Sequence, residues 1–169
     1  MIARIFSRLR AEPRLVLLGL AVLVSVATAA SLVLWQYQPD RRTGDDAAHA
    51  AVAAASEGTV ALLSYAPDTL DRDFASAKGH LTGDFLSYYT QFTQQIVAPA
   101  AKQKAVKTTA AVVRAAVSDL RQDSAVVLVF INQTTTSSEK PDPAMAASSV
   151  RVSLTRVDGD WRISSFDPV

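Results

Sequence analysis

The chain has 169 residues, enough for one domain with a real core plus an extra segment. It has no cysteine, which excludes disulfides, thiolate metal sites, iron–sulfur clusters and cysteine nucleophiles. The formal net charge is +1 but unevenly placed: residues 1–14 hold Arg4, Arg8, Arg10 and Arg14 against Glu12, leaving 13 basic and 15 acidic residues elsewhere. No basic patch tracks a phosphate backbone, so nucleic acid is not an expected partner.

The first element is "LVLLGLAVLVSVATAASLVLW", Leu15–Trp35, 21 residues without a charge. At helical rise it spans roughly 30 Å, one hydrocarbon core. Arginines precede it, and Trp35 and Tyr37 stand at its far end, where amphipathic rings favour the interface. A single-pass anchor in the cell membrane is predicted, with residues 1–14 cytoplasmic and the rest extracytoplasmic. A cleaved signal peptide competes, because Ala27-Thr28-Ala29 fits a cleavage pattern and Leu15–Val26 would serve as its apolar core. The apolar run continues through Ser31–Trp35, past that cut, which favours the uncleaved anchor. A buried core helix is disfavoured, since no polar face interrupts the run. In every case but that one the domain is exported.

Residues 36–46, including "QPDRRTGDD", read as a linker, with Asp45 or Asp46 capping the next helix. Ala47–Tyr65 is Ala-rich and strongly helix-forming, with Val52, Thr59, Val60 and Leu63 as its expected buried stripe. Its small-residue face suits packing on its own domain, or close approach of another helix. Pro67-Asp68 breaks the chain. "TLDRDFASAKGHL" predicts a second helix, capped near Thr69 or Asp71 and ended by Gly79. "TGDFLSYYTQFTQQIVAPAAKQ" predicts a third, capped by Thr82, with Phe85, Tyr88, Tyr89, Phe92 and Ile96 on one face and Pro99 bending or ending it.

The second half changes period. Lys107–Val117 is rich in Thr and Val and alternates at Val113, Ala115 and Val117. Asp123–Thr134 is a continuous β-branched and aromatic run, expected as a central strand buried on both faces. Residues 137–147 read as a polar loop. The terminal "VRVSLTRVDGDWRISSFDPV" holds two alternating runs split by Asp158-Gly159, a pair that favours a type I′ hairpin. Its register sets Val157 opposite Asp160, Arg156 opposite Trp161 and Leu154 opposite Ile163. Val152, Leu154 and Ile163 then face the core, with the Arg156 guanidinium on the Trp161 indole. Ser153, Thr155 and Arg162 face solvent or a partner. The predicted class is α+β: after the anchor, about three helices packed on a curved antiparallel sheet of about four strands, over residues 47–169.

Chemistry is sparse. His49 belongs to the Ala-rich helix. His80 precedes Asp84 by four residues, a spacing that could form a general-base pair, but Gly79 and Gly83 flank it, so a surface or capping role is favoured. Asp71 and Asp73 suit capping. No serine-nucleophile motif, phosphate loop or metal cluster is present, so no catalytic, cofactor or metal residue is assigned. The sequon Asn132-Gln133-Thr134 is discounted, because it falls in a strand expected to be buried. Phe85, Tyr88 and Phe92 are candidate pocket-lining residues, although such a stripe commonly forms core. Arg156, Trp161 and Arg162 are a candidate partner surface.

The Arg-rich start, anchor and Ala-rich helix, with "LTGDF" at Leu81–Phe85, "VVLVFINQTTT" at Val126–Thr136 and the terminal hairpin, resemble the Mce-associated membrane proteins of actinobacteria. The resemblance runs from the anchor onward. It implies a cone-shaped domain of the SnoaL-like, nuclear-transport-factor-like fold. It also implies a non-enzymatic accessory role supporting assembly or stability of an Mce-type importer of lipids or sterols, with Mce proteins and permease components as partners. A lipid-binding module using the cone interior is the alternative, and a cone-fold isomerase or hydrolase a further one.

Overall fold

The computed structural model describes the backbone of residues 13–169, with side chains at 24–28, 31 and 44–169. The chain divides into two compact units, Met1–Asp45 and Asp46–Val169. Helix α1 (Pro13–Leu63) has helical backbone through residues 36–46, where the sequence reads as a linker. Helical hydrogen bonds are local, so polar residues alone need not end a helix. Asp45 and Asp46 therefore lie inside α1 and do not cap it. Among the described residues no helix is long and apolar enough to cross a membrane. The anchor expected at Leu15–Trp35 rests mostly on side chains outside the described residues, as does the Arg-rich start.

In the second unit α1 is followed by α2 (Leu70–Lys78), α3 (Gly83–Phe92), a π-helical segment (Thr93–Val97) and α4 (Ala98–Lys104). Four strands follow, β1 (Lys107–Leu120), β2 (Ser124–Thr136), β3 (Ala144–Val157) and β4 (Asp160–Pro168). They form one antiparallel sheet in the order β1-β2-β3-β4. This is the expected layout of helices on one face of a four-stranded sheet. Both sheet edges are partly covered. Tyr65 exchanges two backbone hydrogen bonds of 3.0 Å with Thr108 beside β1. Along β4, the Ile163 N–H donates to the His80 carbonyl at 2.8 Å and the Thr82 N–H to the Ile163 carbonyl at 2.9 Å. Such cover limits unplanned strand pairing.

Turn chemistry shapes the joints. Asp158 and Gly159 have φ of +53° and +93°, as a type I′ turn requires. The hairpin pairs Arg156 with Trp161 and Leu154 with Ile163, as its sequence predicts. Beyond Ile163, Ser164 is extra and shifts the rest of β4 by one residue. Thr69 precedes α2 but makes no side-chain bond to the helix backbone. Its hydroxyl donates to Asp73 Oδ2 at 2.5 Å, and the Ala66 N–H donates to the same oxygen at 3.2 Å, closing the turn. Asp71 sits in the first turn of α2 and not at its cap.

The sheet's inner face is the core: Ala125, Val127, Val129 and Ile131 from β2, Val150, Val152 and Leu154 from β3, Trp161 and Ile163 from β4. β2 is buried on this face only, since Phe130 on the other side is 51% exposed. Helices cover one side of the sheet, so an unbroken apolar run does not imply two covers. The outer position of Asn132 is likewise exposed. The buried stripe of α1 agrees with expectation only at Thr59. It is Ala51, Ala55, Thr59 and Leu62, with Val52, Val60 and Leu63 only partly covered.

Close approach explains that stripe. A Cβ placed on Gly58 would stand 2.5 Å from Ile163 Cδ1 and 3.3 Å from His80 Cβ. Ile163 is fully buried and has little room to retreat. Gly58→Ala would add ~1 kcal/mol of helix propensity but force a methyl into this contact, where overpacking costs about 1–3 kcal/mol. A net loss of about 1 kcal/mol is expected by chemical denaturation. Ile163→Val removes the colliding Cδ1, so the double variant should lose less than the two single losses combined. Simple additivity would show that this contact does not limit the packing.

Candidate functional site: an open aromatic groove

The region from α3 to α4 carries the exposed rings of Tyr88 and Phe92. An ordinary α-helix has 3.6 residues per turn, so positions four apart drift around its axis. Here Tyr89, Thr93 and Ala101 are buried and Val97 is half-buried, a strict spacing of four over three steps. The wider π-helical turn absorbs the drift: the Ala98 N–H donates to the Thr93 carbonyl, five residues back. Pro99, which lacks an N–H, falls in the first turn of α4, where its donor is not needed, and the helix continues past it. The neighbouring row, Tyr88, Phe92 and Ile96, keeps the same spacing and faces outward.

Along this helix runs an open cavity of about 290 Å³. Phe85, Tyr88, Tyr89 and Phe92 form one wall, Leu62, Tyr65 and Phe74 another, and Gln133 and Phe166 of the sheet complete it. Four rings lie in a nearly parallel row. Phe166 and Phe85 are 6.4 Å apart at 10°, Phe85 and Tyr88 6.4 Å at 24°, Tyr88 and Phe92 5.8 Å at 11°. Deeper, Phe74 meets Tyr89 edge-on at 6.4 Å and Tyr65 tilted at 5.6 Å. Such pairs are favourable beyond the area they bury.

Phe85, Tyr88 and Phe92 all line the groove, but they differ. Phe85 is half-buried, whereas Tyr88 is 60% exposed. Phe166 is a wall residue that sequence alternation misses. Counting in twos from Trp161 and Ile163 puts Ser165 inward and Phe166 outward. The extra residue at Ser164 reverses this and pairs Phe166 with the inward Val152.

The groove has few polar groups, and two of its donors are engaged. Tyr89 Oη donates weakly to the Leu62 carbonyl at 3.4 Å, and Gln133 Nε2 donates to Thr108 Oγ1 at 3.4 Å. Burial pushes the Tyr65 phenol above its usual pKa. The Tyr89 phenol is raised further, first by burial and then by the neighbouring Tyr65. Burial thus favours the neutral phenol at both positions.

The other candidates lie elsewhere. Among the described residues no hydrogen bond or ion pair joins His80 to Asp84, and no group of three or more His, Asp or Glu could hold a metal ion. His80 instead borders a shallow concavity of about 610 Å³ with Glu57, Arg156, Trp161 and Arg162, over a floor of alanines from α1. The Arg156 guanidinium carbon stands 4.8 Å from the centre of the Trp161 ring, a contact of ~0.5–1 kcal/mol in the open. Arg162 reaches Asp160 at 3.6 Å. The structure thus brings Arg156, Trp161 and Arg162 together, away from the aromatic groove.

The family model described as uncharacterized protein Rv1363c/MT1408-like matches residues 15–169. The chain belongs to the Rv1363c/MT1408-like family. It is 65% identical over 158 residues to uncharacterized protein Rv1362c of Mycobacterium tuberculosis, covering 94% of this chain and 72% of that one. It is 46% identical over 153 residues to "outer membrane protein Rv1973" of the same species, covering 89% and 92%. The solved periplasmic domain of DotI superposes with a TM-score of 0.58 at 19% identity, covering 70% of this chain and 91% of that one. That likeness concerns the fold alone and agrees with the expected cone.

The buried phenols make stability depend on alkaline pH. A phenol with a raised folded pKa contributes stability that is fully present below its unfolded value, near 10.0, and is lost as pH rises above it. Tyr89→Phe should change stability by less than ~1 kcal/mol at neutral pH, because it removes only one weak hydrogen bond. Above pH 10 it should flatten the loss of stability with pH. Denaturant titrations on either side of that pH test this, and identical slopes in both proteins would refute the assignment to Tyr89.

Proposed function

We propose that this chain is a non-enzymatic, envelope-associated accessory subunit with an extracytoplasmic domain, supporting assembly or stability of an Mce-type lipid importer. The observation that carries the non-enzymatic reading is the groove wall, mainly rings and aliphatic chains, with the Gln133 amide and the Thr93 hydroxyl already engaged. Exposed rings in a preformed groove suit docking better than turnover. The name of the relative Rv1973 and the periplasmic source of the DotI domain support placement outside the cytoplasm. The importer itself rests on the resemblance of "LTGDF", "VVLVFINQTTT" and the terminal hairpin to Mce-associated proteins.

A second reading, a lipid-binding module, is favoured by the apolar character of the groove. Ligand pockets commonly run from ~300 to ~1,000 Å³, and about 290 Å³ lies at the low end. It suits part of a lipid better than enclosure of a whole sterol. Deleting the gene should lower both the abundance of Mce components and the uptake of labelled lipid, with recovery on complementation. Normal values for both in the deletion strain would overturn the accessory role. Lowered uptake with normal Mce abundance, together with co-purified lipid in native mass spectrometry, would support the second reading instead.

A further inference from the structure

The outer face of the sheet carries an apolar column along β2. Val126 and Leu128 are half-buried and Phe130 is 51% exposed, and all three lie outside the core cluster. On β1, Val113 is the extra residue of a β-bulge and is 55% exposed. Ala111 and Ala116 of the same strand are small and exposed, so a flat partner can come close. Exposed apolar area of this kind marks an interaction surface.

The order of charges on this face selects its occupant. Strand register sets Arg114 beside Phe130 and Asp119 beside Val126, with Ala116, Leu128, Arg151 and Asp167 in one row between them. Arg114 and Asp119 are thus two same-face steps apart, roughly 14 Å. Among the described residues neither Arg114 nor Arg151 pairs with a carboxylate. Asp119 meets Arg121 at 3.1 Å, but both side chains are exposed, and a carboxylate can accept from a second donor. A second copy, laid face to face and turned over about the middle row, reverses the order. Arg114 then meets Asp119 of the second copy, and Asp119 meets its Arg114. Along the middle row each Arg151 reaches the Asp167 of the other copy. Phe130 lies against Val126, a large side chain against a smaller one, and Leu128 against Leu128. A lipid surface of one charge sign would match only half of this set.

We infer that two copies of this chain pack through the outer faces of their sheets, with a twofold axis running across the strands along the Ala116–Leu128–Arg151–Asp167 row. Such a contact is isologous, so each copy supplies both halves of every pair. Packed sheets lie about 10 Å apart and align within about 30°, which brings these side chains within reach. Four strands and about ten residues of strand length give a footprint of about 650 Å². That is of the same order as the ~800 Å² per partner of a stable interface. The aromatic groove, on the helix side, stays open. This pairing needs no importer component, so it stands or falls apart from the proposed accessory role.

The absence of cysteine makes the test direct. Full-length protein in detergent micelles carries Ala116→Cys, Leu128→Cys or Met145→Cys and is treated with a short bismaleimide. Positions 116 and 128 lie on the axis and face themselves, whereas Met145, 77% exposed, stands three same-face steps away. Cross-linked dimer at 116 and 128 should exceed that at 145 several-fold. Adding Phe130→Lys to Leu128→Cys should lower its yield several-fold. In sedimentation, Arg114→Asp and Asp119→Arg should each dimerise several-fold more weakly than wild type. Their equimolar mixture should regain the dimer, because each variant supplies the charge that the other lacks. Equal cross-linking at all three positions, or a mixture no tighter than its parts, overturns the inference. So does a monomeric wild type, whatever else then proves to bind at Phe130. A dimer that survives Phe130→Lys is held by another surface and overturns it too.

Discussion

The closeness of α1 to the sheet at Gly58 and Ile163 constrains the rest of the domain. With Ile163 Cδ1 2.5 Å from a hypothetical Gly58 Cβ, even a methyl does not fit at position 58 without a shift. Ala51, Ala55 and Thr59 accordingly share the buried stripe. A helix this near the sheet leaves little space between them for rings. The aromatic side chains collect instead where α2 and α3 meet the sheet, in the cluster of Phe74, Phe85, Tyr89 and Phe166. The groove follows from where the bulky residues can go.

A second constraint acts through the π-helical segment. A regular helix from Gly83 to Lys104 would rotate its buried row away from the core within three turns. One widened turn holds Tyr89, Thr93, Val97 and Ala101 against the domain, and by the same geometry presents Tyr88, Phe92 and Ile96 outward. The buried row and the exposed row are two results of one backbone irregularity. Thr93 is buried within it, and its hydroxyl donates to the Tyr89 carbonyl at 2.7 Å, a back-bond of the kind that bends helices.

Much of the fold is legible in the sequence. The element order, the switch from helical to strand period and the last hairpin with its Arg156–Trp161 contact can all be read there. The buried stripe of α1 can be read only at Thr59. Val52, Val60 and Leu63 attract attention by size, whereas a close helix–sheet contact selects Ala51 and Ala55. The candidate groove is half legible. Phe85, Tyr88 and Phe92 follow from helical spacing, but their partners Tyr65, Phe74 and Phe166 come from three separated segments. No local pattern links those segments.

The sequence by itself determined whatever depends on near neighbours. Asp158-Gly159 takes positive φ at low cost and so fixes the hairpin register, and Pro67 and Gly79 mark where helices stop or start. Tertiary structure decided what depends on distant surfaces. It chose the face of β2 to be covered, brought Ile163 against Gly58, and placed Phe166 inward through the extra residue at Ser164. The division is physical: turn and register preferences act within a few residues along the chain. Burial is set by whatever the folded backbone brings against a side chain, and for this sheet that is a helix roughly a hundred residues earlier in the chain.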